Sequence, residues 1–202
     1  MKLYYSPGAC SLSPHILLRE AGLPFELVLA STKTHKLADG SDYYAINPKG
    51  SVPLLELDNG ERLTEGPVIG QYIADLAPAS GLAPANGTMA RYRLQEWLNF
   101  LTSEVHKTFS PLFSPATPED YKPIAKARIV DRLTLVDNAL AGKSYLTGEQ
   151  FTVADAYLFV LTNWAQPVGL DIAKLANLGA FRARVAARPA VQAAMKAEGL
   201  TK

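Results

Sequence analysis

Four places along the chain combine residue types that could do chemistry. Cys10 is the only cysteine among 202 residues. It follows a strand-like Lys2–Tyr5 and a Ser6-Pro7-Gly8 turn, where a helix over about residues 10–21 is expected to begin. Unpaired N–H groups and the helix dipole favour negative charge at such a start. A thiolate there would titrate below the free-cysteine value of about 8.5; the plainer alternative is a small buried apolar residue. Val52-Pro53 opens a strand, where a cis bond would leave the Val52 N–H and C=O as an open edge able to pair with a peptide-like ligand. At Thr64-Glu65-Gly66-Pro67 a strand passes into a helix. Proline suits the first helical position, so the N–H groups around it could hold a carboxylate while Glu65 meets an ammonium, as in an amino-acid head group.

The fourth place is a helix after residue 88. At about 100° per residue, Leu94, Leu98, Leu101 and Val105 form a core stripe, and Asn99, Ser103 and His106 form a second, polar stripe roughly 140° away. An uncharged Asn-Ser-His face is less typical of plain surface than lysine and glutamate, which suggests a cleft. His15, inside the first helix, reads as structural or exposed. His35 lies in the basic loop Lys33–Lys36. Three scattered histidines without a matched acidic residue, and one cysteine, give no metal site.

The elements that must position these groups change character along the chain. Residues 1 to about 80 alternate strands and helices: strands at 2–5, 25–30, 53–57 and 62–64, with a hairpin turn at Asp58-Asn59-Gly60 and a helix at 67–76. The apolar face of that last helix is expected to be Val68, Ile69, Tyr72, Ile73 and Leu76. Residues 78–87, rich in Ala, Pro, Gly and Ser, read as a linker. From 88 to 202 only helical patterns follow, at about 88–113, 121–141, 153–165, 175–187 and 189–197, with a capping box at Thr152–Asp155. The fold class is an α/β domain over 1–80 followed by an all-α helical bundle over 88–202.

Lys and Arg total 20 against 19 Asp and Glu, with no block of like charge, which argues against nucleic acid and anionic membranes as partners. No apolar run approaches the roughly 18 residues of a membrane span, and no secretory leader is apparent. A lone thiol suits a reducing compartment, so a cytoplasmic location is expected.

Taken together, the residues resemble the bacterial beta-class glutathione transferases. The likeness is carried by Met1 to Ile16 with Cys10, by Asn47-Pro48-Lys49-Gly50-Ser51-Val52-Pro53, and by Leu63-Thr64-Glu65-Gly66. It continues through Glu96-Trp97-Leu98-Asn99, His106-Lys107, Ser110-Pro111-Leu112-Phe113, Phe151 to Phe159 and Ala197 to Leu200. It spans essentially the whole chain, and members from bacterial biphenyl and aromatic degradation are the most similar. The resemblance implies a thioredoxin-like N-terminal domain, a helical C-terminal domain and a homodimer engaged in detoxification. It implies no cofactor beyond glutathione as co-substrate.

Carried over, Cys10 lies next to the glutathione sulfur, Val52 bonds the cysteinyl part, and Glu65 and Gly66 hold the γ-glutamyl head. Asn99, Ser103 and His106 line the site from the helical domain, with Cys10 and His106 as the catalytic pair. Where the family often uses lysine for the glycine carboxylate, this sequence has His35, flanked by Lys33 and Lys36. Tyr5 and Ser11 are secondary candidates for activating the thiol. The second substrate would be a small hydrophobic electrophile among Phe109, Phe113, Tyr157 and Trp164, residues that could equally be core. The leading activity is addition of glutathione thiolate to such electrophiles. A disulfide reductase or peroxidase working through a Cys10 mixed disulfide, and a non-catalytic ligand-binding role, are the alternatives.

Overall fold

The computed structural model describes residues 1–201, which fall into two compact units: Met1–Ala83 with the segment from Ala187 onward, and Pro84–Ala186. In the first unit, strands β1 (Lys2–Tyr5), β2 (Glu26–Leu29), β3 (Leu54–Glu56) and β4 (Arg62–Thr64) form one sheet in the order β2-β1-β3-β4. β1 runs parallel to β2 and antiparallel to β3, and β3–β4 is the expected hairpin. Its turn is closed by Gly60 at φ 85°, a conformation that glycine adopts without a steric penalty. β1 has neighbours on both sides and buries Leu3 and Tyr4, whereas the edge strand β2 is only partly covered.

Helix α1 spans Leu12–Glu20, so it starts two residues beyond Cys10 rather than at it. Leu12, Ile16, Leu17 and Leu18 are buried. The helix ends in a Schellman arrangement, with Gly22 N–H on Arg19 C=O and Leu23 N–H on Leu18 C=O. Helix α2 (Gly66–Leu76) buries Ile69, Gly70, Ile73 and Ala74. Val68 and Leu76 belong to the row one position round the helix and stay 49% and 45% exposed, so the apolar face is narrower than its sequence suggests.

The second unit holds α3 (Met89–Phe100), a π-helical turn (Leu101–His106), α4 (Lys107–Phe109), α5 (Tyr121–Ala139), α6 (Val153–Asn163) and α7 (Ala176–Ala186). The expected core stripe Leu94, Leu98, Leu101 and Val105 is buried throughout. α6 is buried along nearly its whole length, from Val153 to Thr162. No helix among the described residues is long and apolar enough to cross a membrane.

The last helix, α8 (Pro189–Ala197), departs from an 88–202 helical domain, because it belongs to the first unit. Polar anchors explain this. Arg188 grips Glu20 with Nε at 2.6 Å and Nη2 at 2.9 Å. Glu198 is buried against His15, Oε1 to Nδ1 at 2.8 Å, and its Oε2 accepts the Gly8 N–H at 3.0 Å. Arg19 Nε donates to His15 Nε2 at 2.9 Å, which fixes the proton of the imidazole on Nδ1. His15 is thus a buried strut between α1 and the chain's C-terminal segment.

Candidate functional site

The loops at one end of the sheet bring Cys10, Val52, Gly66 and Glu65 into one neighbourhood. Cys10 sits half-buried in the turn before α1, and its Sγ–H donates to the Val52 carbonyl at 3.2 Å. Burial pushes the thiol up to about 11, against the lowering influence of the Cys10 and Ser11 N–H groups. The expected low-titrating thiolate is therefore corrected. Desolvation outweighs the backbone donors, and a carbonyl oxygen can accept from a thiol but repels a thiolate. Ser11 is no free donor either: its hydroxyl accepts from Ser6 N–H at 3.1 Å and donates to Ser6 C=O at 3.2 Å. At Tyr5, burial and then the Glu198 charge raise the phenol above its ordinary value, which keeps it protonated.

The Val52–Pro53 peptide is cis. Among the described residues the Val52 N–H donates to nothing, and the one partner of its carbonyl is the Cys10 thiol. The preceding Ser51 carbonyl, by contrast, is held by both Asn47 Nδ2 at 2.7 Å and Tyr43 Oη at 3.0 Å. This part of the loop is clamped from behind while Val52 is left open. A Cβ on Gly66 would lie 3.8 Å from Pro53 Cγ, which places the start of α2 directly beside this edge.

That helix start is itself unsatisfied. Neither Glu65 N–H nor Gly66 N–H has a partner among the described residues, and Glu65 makes no side-chain cap. Glu65 holds φ 70°, a left-handed value that costs a non-glycine residue about 1 kcal/mol. Its carboxylate points outward, 61% exposed, to Lys49 Nζ at 2.7 Å. Lys49 also donates to Thr64 Oγ1 at 2.9 Å. His35 has φ 52°, bonds Gly50 C=O through Nδ1 at 3.0 Å and stacks on Tyr44 with centroids 4.6 Å apart. Gly50 is required there, since any Cβ would fall 2.5 Å from the Tyr44 ring and 3.0 Å from His35 Nδ1. The loop Lys33–Lys36 is thereby tied to the segment carrying Lys49 and Val52.

In the second unit, Asn99 and Ser103 are exposed and His106 is half-buried. The segment that joins them is the π-helical turn, not the continuous α-helix expected over 88–113. In a π-turn the N–H groups shift to the i−5 carbonyl and leave i−4 carbonyls under-used. Side-chain hydroxyls fill in: Thr102 bonds Leu98 C=O at 2.8 Å and Ser103 bonds Asn99 C=O at 3.0 Å. His106 Nδ1 meets the Tyr157 hydroxyl at 2.5 Å, and its ring lies 4.9 Å from that of Trp164. Phe109 and Phe113 pack edge-on to the same Trp164 at 5.7 and 5.5 Å. Phe109 and Tyr157 are buried core, whereas Phe113 is 50% exposed, so this aromatic cluster grades from interior to surface.

Sequence reasoning does not single out Lys49 as the counter-ion of Glu65 or Tyr157 as the partner of His106. Lys49 lies within a motif already noted; Tyr157 is named there only for the electrophile pocket, because it is 51 residues from His106 and nothing local joins them.

A thioredoxin-like sheet with an open strand edge, followed by a helical unit, defines the class, and comparison with known proteins gives the family. Residues 8–76 match the model for the glutathione S-transferase N-terminal domain and residues 100–189 that for its C-terminal domain. The chain is 48% identical to glutathione S-transferase GstA of Escherichia coli O157:H7, over 99% of this chain and all of that one. It superposes on a ternary complex of BphK, a bacterial glutathione transferase, with TM-score 0.97 and 55% identity, covering 99% of this chain and 100% of that one. A beta-class enzyme of Sphingomonas chungbukensis gives TM-score 0.96 and 49% identity over the full length of both. The chain belongs to the glutathione S-transferase family, with bacterial beta-class enzymes as its structural neighbours, and it is a transferase acting with glutathione.

Proposed function

We propose that this transferase adds the glutathione thiolate to small hydrophobic electrophiles, with Cys10 serving as a proton-bearing donor beside the glutathione sulfur. The observation that carries this reading is the protonated Cys10 thiol resting on the Val52 carbonyl. The cysteinyl part of glutathione would lay its C=O on the open Val52 N–H and its N–H on the Val52 C=O. That second bond replaces the Cys10 donor, freeing the S–H to turn to the incoming sulfur. An S–H···S⁻ hydrogen bond stabilises the glutathione thiolate and lowers its titration, so more nucleophile is present near neutral pH.

The other ends of the tripeptide find chemistry that matches them. The γ-glutamyl carboxylate suits the free N–H groups of Glu65 and Gly66, and its ammonium suits the Glu65 carboxylate, in place of or beside Lys49. His35, with Lys33 and Lys36, is assigned to the glycine carboxylate. Asn99, Ser103 and His106 are assigned to glutathione binding by family resemblance, with His106 as acid–base partner and Tyr157 setting its ring orientation. The exposed aromatic surface of Phe113 beside Trp164 suits an apolar electrophile. A homodimer would cover Val68 and Leu76 of α2, and Met89 and Tyr92 of α3, which are apolar and exposed. A cytoplasmic location and a role in detoxification complete the reading.

The experiment is product analysis with an activated aryl chloride and with a mixed disulfide, for the native chain and for Cys10→Ser and Cys10→Ala. Thioether formation is expected to dominate. Cys10→Ala should lose about two- to twelvefold in conjugation, the worth of one hydrogen bond, and Cys10→Ser should retain more because its O–H still donates. Alkylation of native Cys10 by iodoacetamide should accelerate about tenfold per pH unit between pH 7 and 10, as a group titrating near 11 requires. Exchanged disulfides as the main product, or an alkylation rate flat across that range, would overturn the donor role.

A further inference from the structure

A surface cavity of about 530 Å³ lies wholly within the second unit, walled by the loop after α6 and by one face of α7. Arg182 and Asp171 are the charged residues of its lining. The Arg182 guanidinium is half-buried, makes one long hydrogen bond from Nη2 to Asn163 Oδ1 at 3.3 Å, and has a buried Nε with no partner. No carboxylate lies within 4.0 Å of it among the described residues, although Asp171 also borders the cavity. Asp171 turns its Oδ1 to the Ala173 N–H at 2.9 Å instead. Several other arginines pair with carboxylates, Arg188 with Glu20, Arg62 with Glu56, and Arg132, whose Nε also lacks a hydrogen bond, with Glu104 at 3.3 Å, while half-buried Arg19 is met by the His15 ring nitrogen and the Phe25 face. A partly buried cation without a counter-ion is costly for the folded state and is kept where an anion completes it.

A second, independent observation concerns Gly179, one helical turn before Arg182 on α7 and also on the cavity wall. Glycine inside a helix costs about 0.5–1 kcal/mol relative to alanine. It is usually explained by a positive φ or a close approach, and Gly179 has neither: a Cβ built there meets nothing within 4 Å. The missing side chain leaves open a stretch of the cavity wall that Arg182 also lines. Leu170, Ile172 and Ala165 supply apolar wall around it. Lys126, whose Nζ donates to Gly169 C=O at 3.3 Å, adds a second positive charge at the rim.

We propose that this cavity is a binding site for a small amphipathic carboxylate, its anionic head paired with Arg182 and its apolar body laid over Gly179 against Leu170 and Ile172. The site is separate from the residues assigned above to glutathione, and it does not rest on that assignment. A planar guanidinium fork matches a carboxylate in two parallel hydrogen bonds, and a cavity of this size accommodates a small ring.

Calorimetric titration of the full chain with benzoate, with benzyl alcohol as the neutral analogue and inorganic phosphate as the bare anion, tests it. Benzoate should bind one site per chain, at least about tenfold more tightly than either control, since a charged hydrogen-bonded pair and an apolar body are both needed. Arg182→Gln should reduce benzoate affinity by about tenfold or more. Gly179→Leu, which fills open space and favours the helix, should abolish binding while Arg182 is intact, and it serves if the first variant fails to fold. Saturating S-hexylglutathione should leave the benzoate affinity unchanged. Benzoate binding retained in both variants, displaced by S-hexylglutathione, or matched by phosphate would overturn the proposal.

Discussion

Two helix starts in this chain receive opposite treatment. At α6 the acidic side chain is answered from within: Asp155 accepts Thr152 N–H at 2.8 Å, Thr152 Oγ1–H at 2.7 Å and Leu146 N–H at 2.9 Å, all in the interior. At α2 the donors of Glu65 and Gly66 are left open beside the equally open Val52 N–H, and the acidic side chain faces solvent. The first acidic residue closes a joint; the second is held at φ 70° in a conformation that costs stability. The difference teaches that an acidic residue at a helix start is read by its satisfaction, not by its type. One bound by buried donors organises the fold, and one paired only with an exposed lysine next to free backbone is available to a ligand.

The contrast can be broken most forcefully at α6. Asp155→Ala strands two buried N–H groups and should lower the unfolding free energy by about 2–5 kcal/mol in urea titration. Asp155→Asn sharpens the point through pH. Burial raises the Asp155 carboxyl to about 6, while the unfolded group titrates near 3.9. Between those values the folded state binds more protons than the unfolded one, so stability falls as pH rises from about 4 to about 6 and is flat above. This component amounts to about 2–3 kcal/mol and should vanish in Asp155→Asn. A wild-type profile parallel to that of the variant would show that the three donors cancel the effect of burial.

At α2 the signs should split. Glu65→Gly relieves the left-handed backbone and should raise stability by about 0.5–1 kcal/mol, while glutathione affinity falls by about ten- to a hundredfold. Loss of both together would make Glu65 a structural residue like Asp155. The smallest effect belongs to Lys49→Met. Its ion pair is more than half exposed on both sides, so stability should move by less than about 1 kcal/mol. Glutathione affinity in that variant reports whether Lys49 competes with the ligand's ammonium for Glu65.

Much of the joint at α6 was legible in the sequence, and less of the open site. Thr152 and Asp155 are three residues apart, and helical periodicity brings them together without tertiary information. The hairpin at Asp58–Gly60 and the Leu94–Val105 stripe were legible for the same reason. The state of Cys10 was not, because the dipole argument weighs only the nearest N–H groups, whereas the burial that keeps the thiol protonated is tertiary, as is its contact with a carbonyl 42 residues away. Nor was the union of α8 with the first unit, which rests on His15 and Glu198, separated by 183 residues. The π-turn escaped for another reason: a local change in helical pitch leaves the apolar spacing almost intact. Thr102 and Ser103 do not betray it, since Thr134 makes the same bond to an i−4 carbonyl within the regular helix α5.

The burial of Cys10 in the turn before α1 has a consequence for durability. Hydroperoxides attack thiolates, not thiols. With its proton held until about pH 11, Cys10 is ionised at neutral pH to the order of one part in ten thousand, against about three parts in a hundred for an ordinary cysteine. Climbing to sulfenic and sulfinic acid is slowed, although less than in proportion, because a more basic thiolate is also the stronger nucleophile. As no second thiol is present to form an internal disulfide, the unliganded chain should withstand storage in air without added reductant.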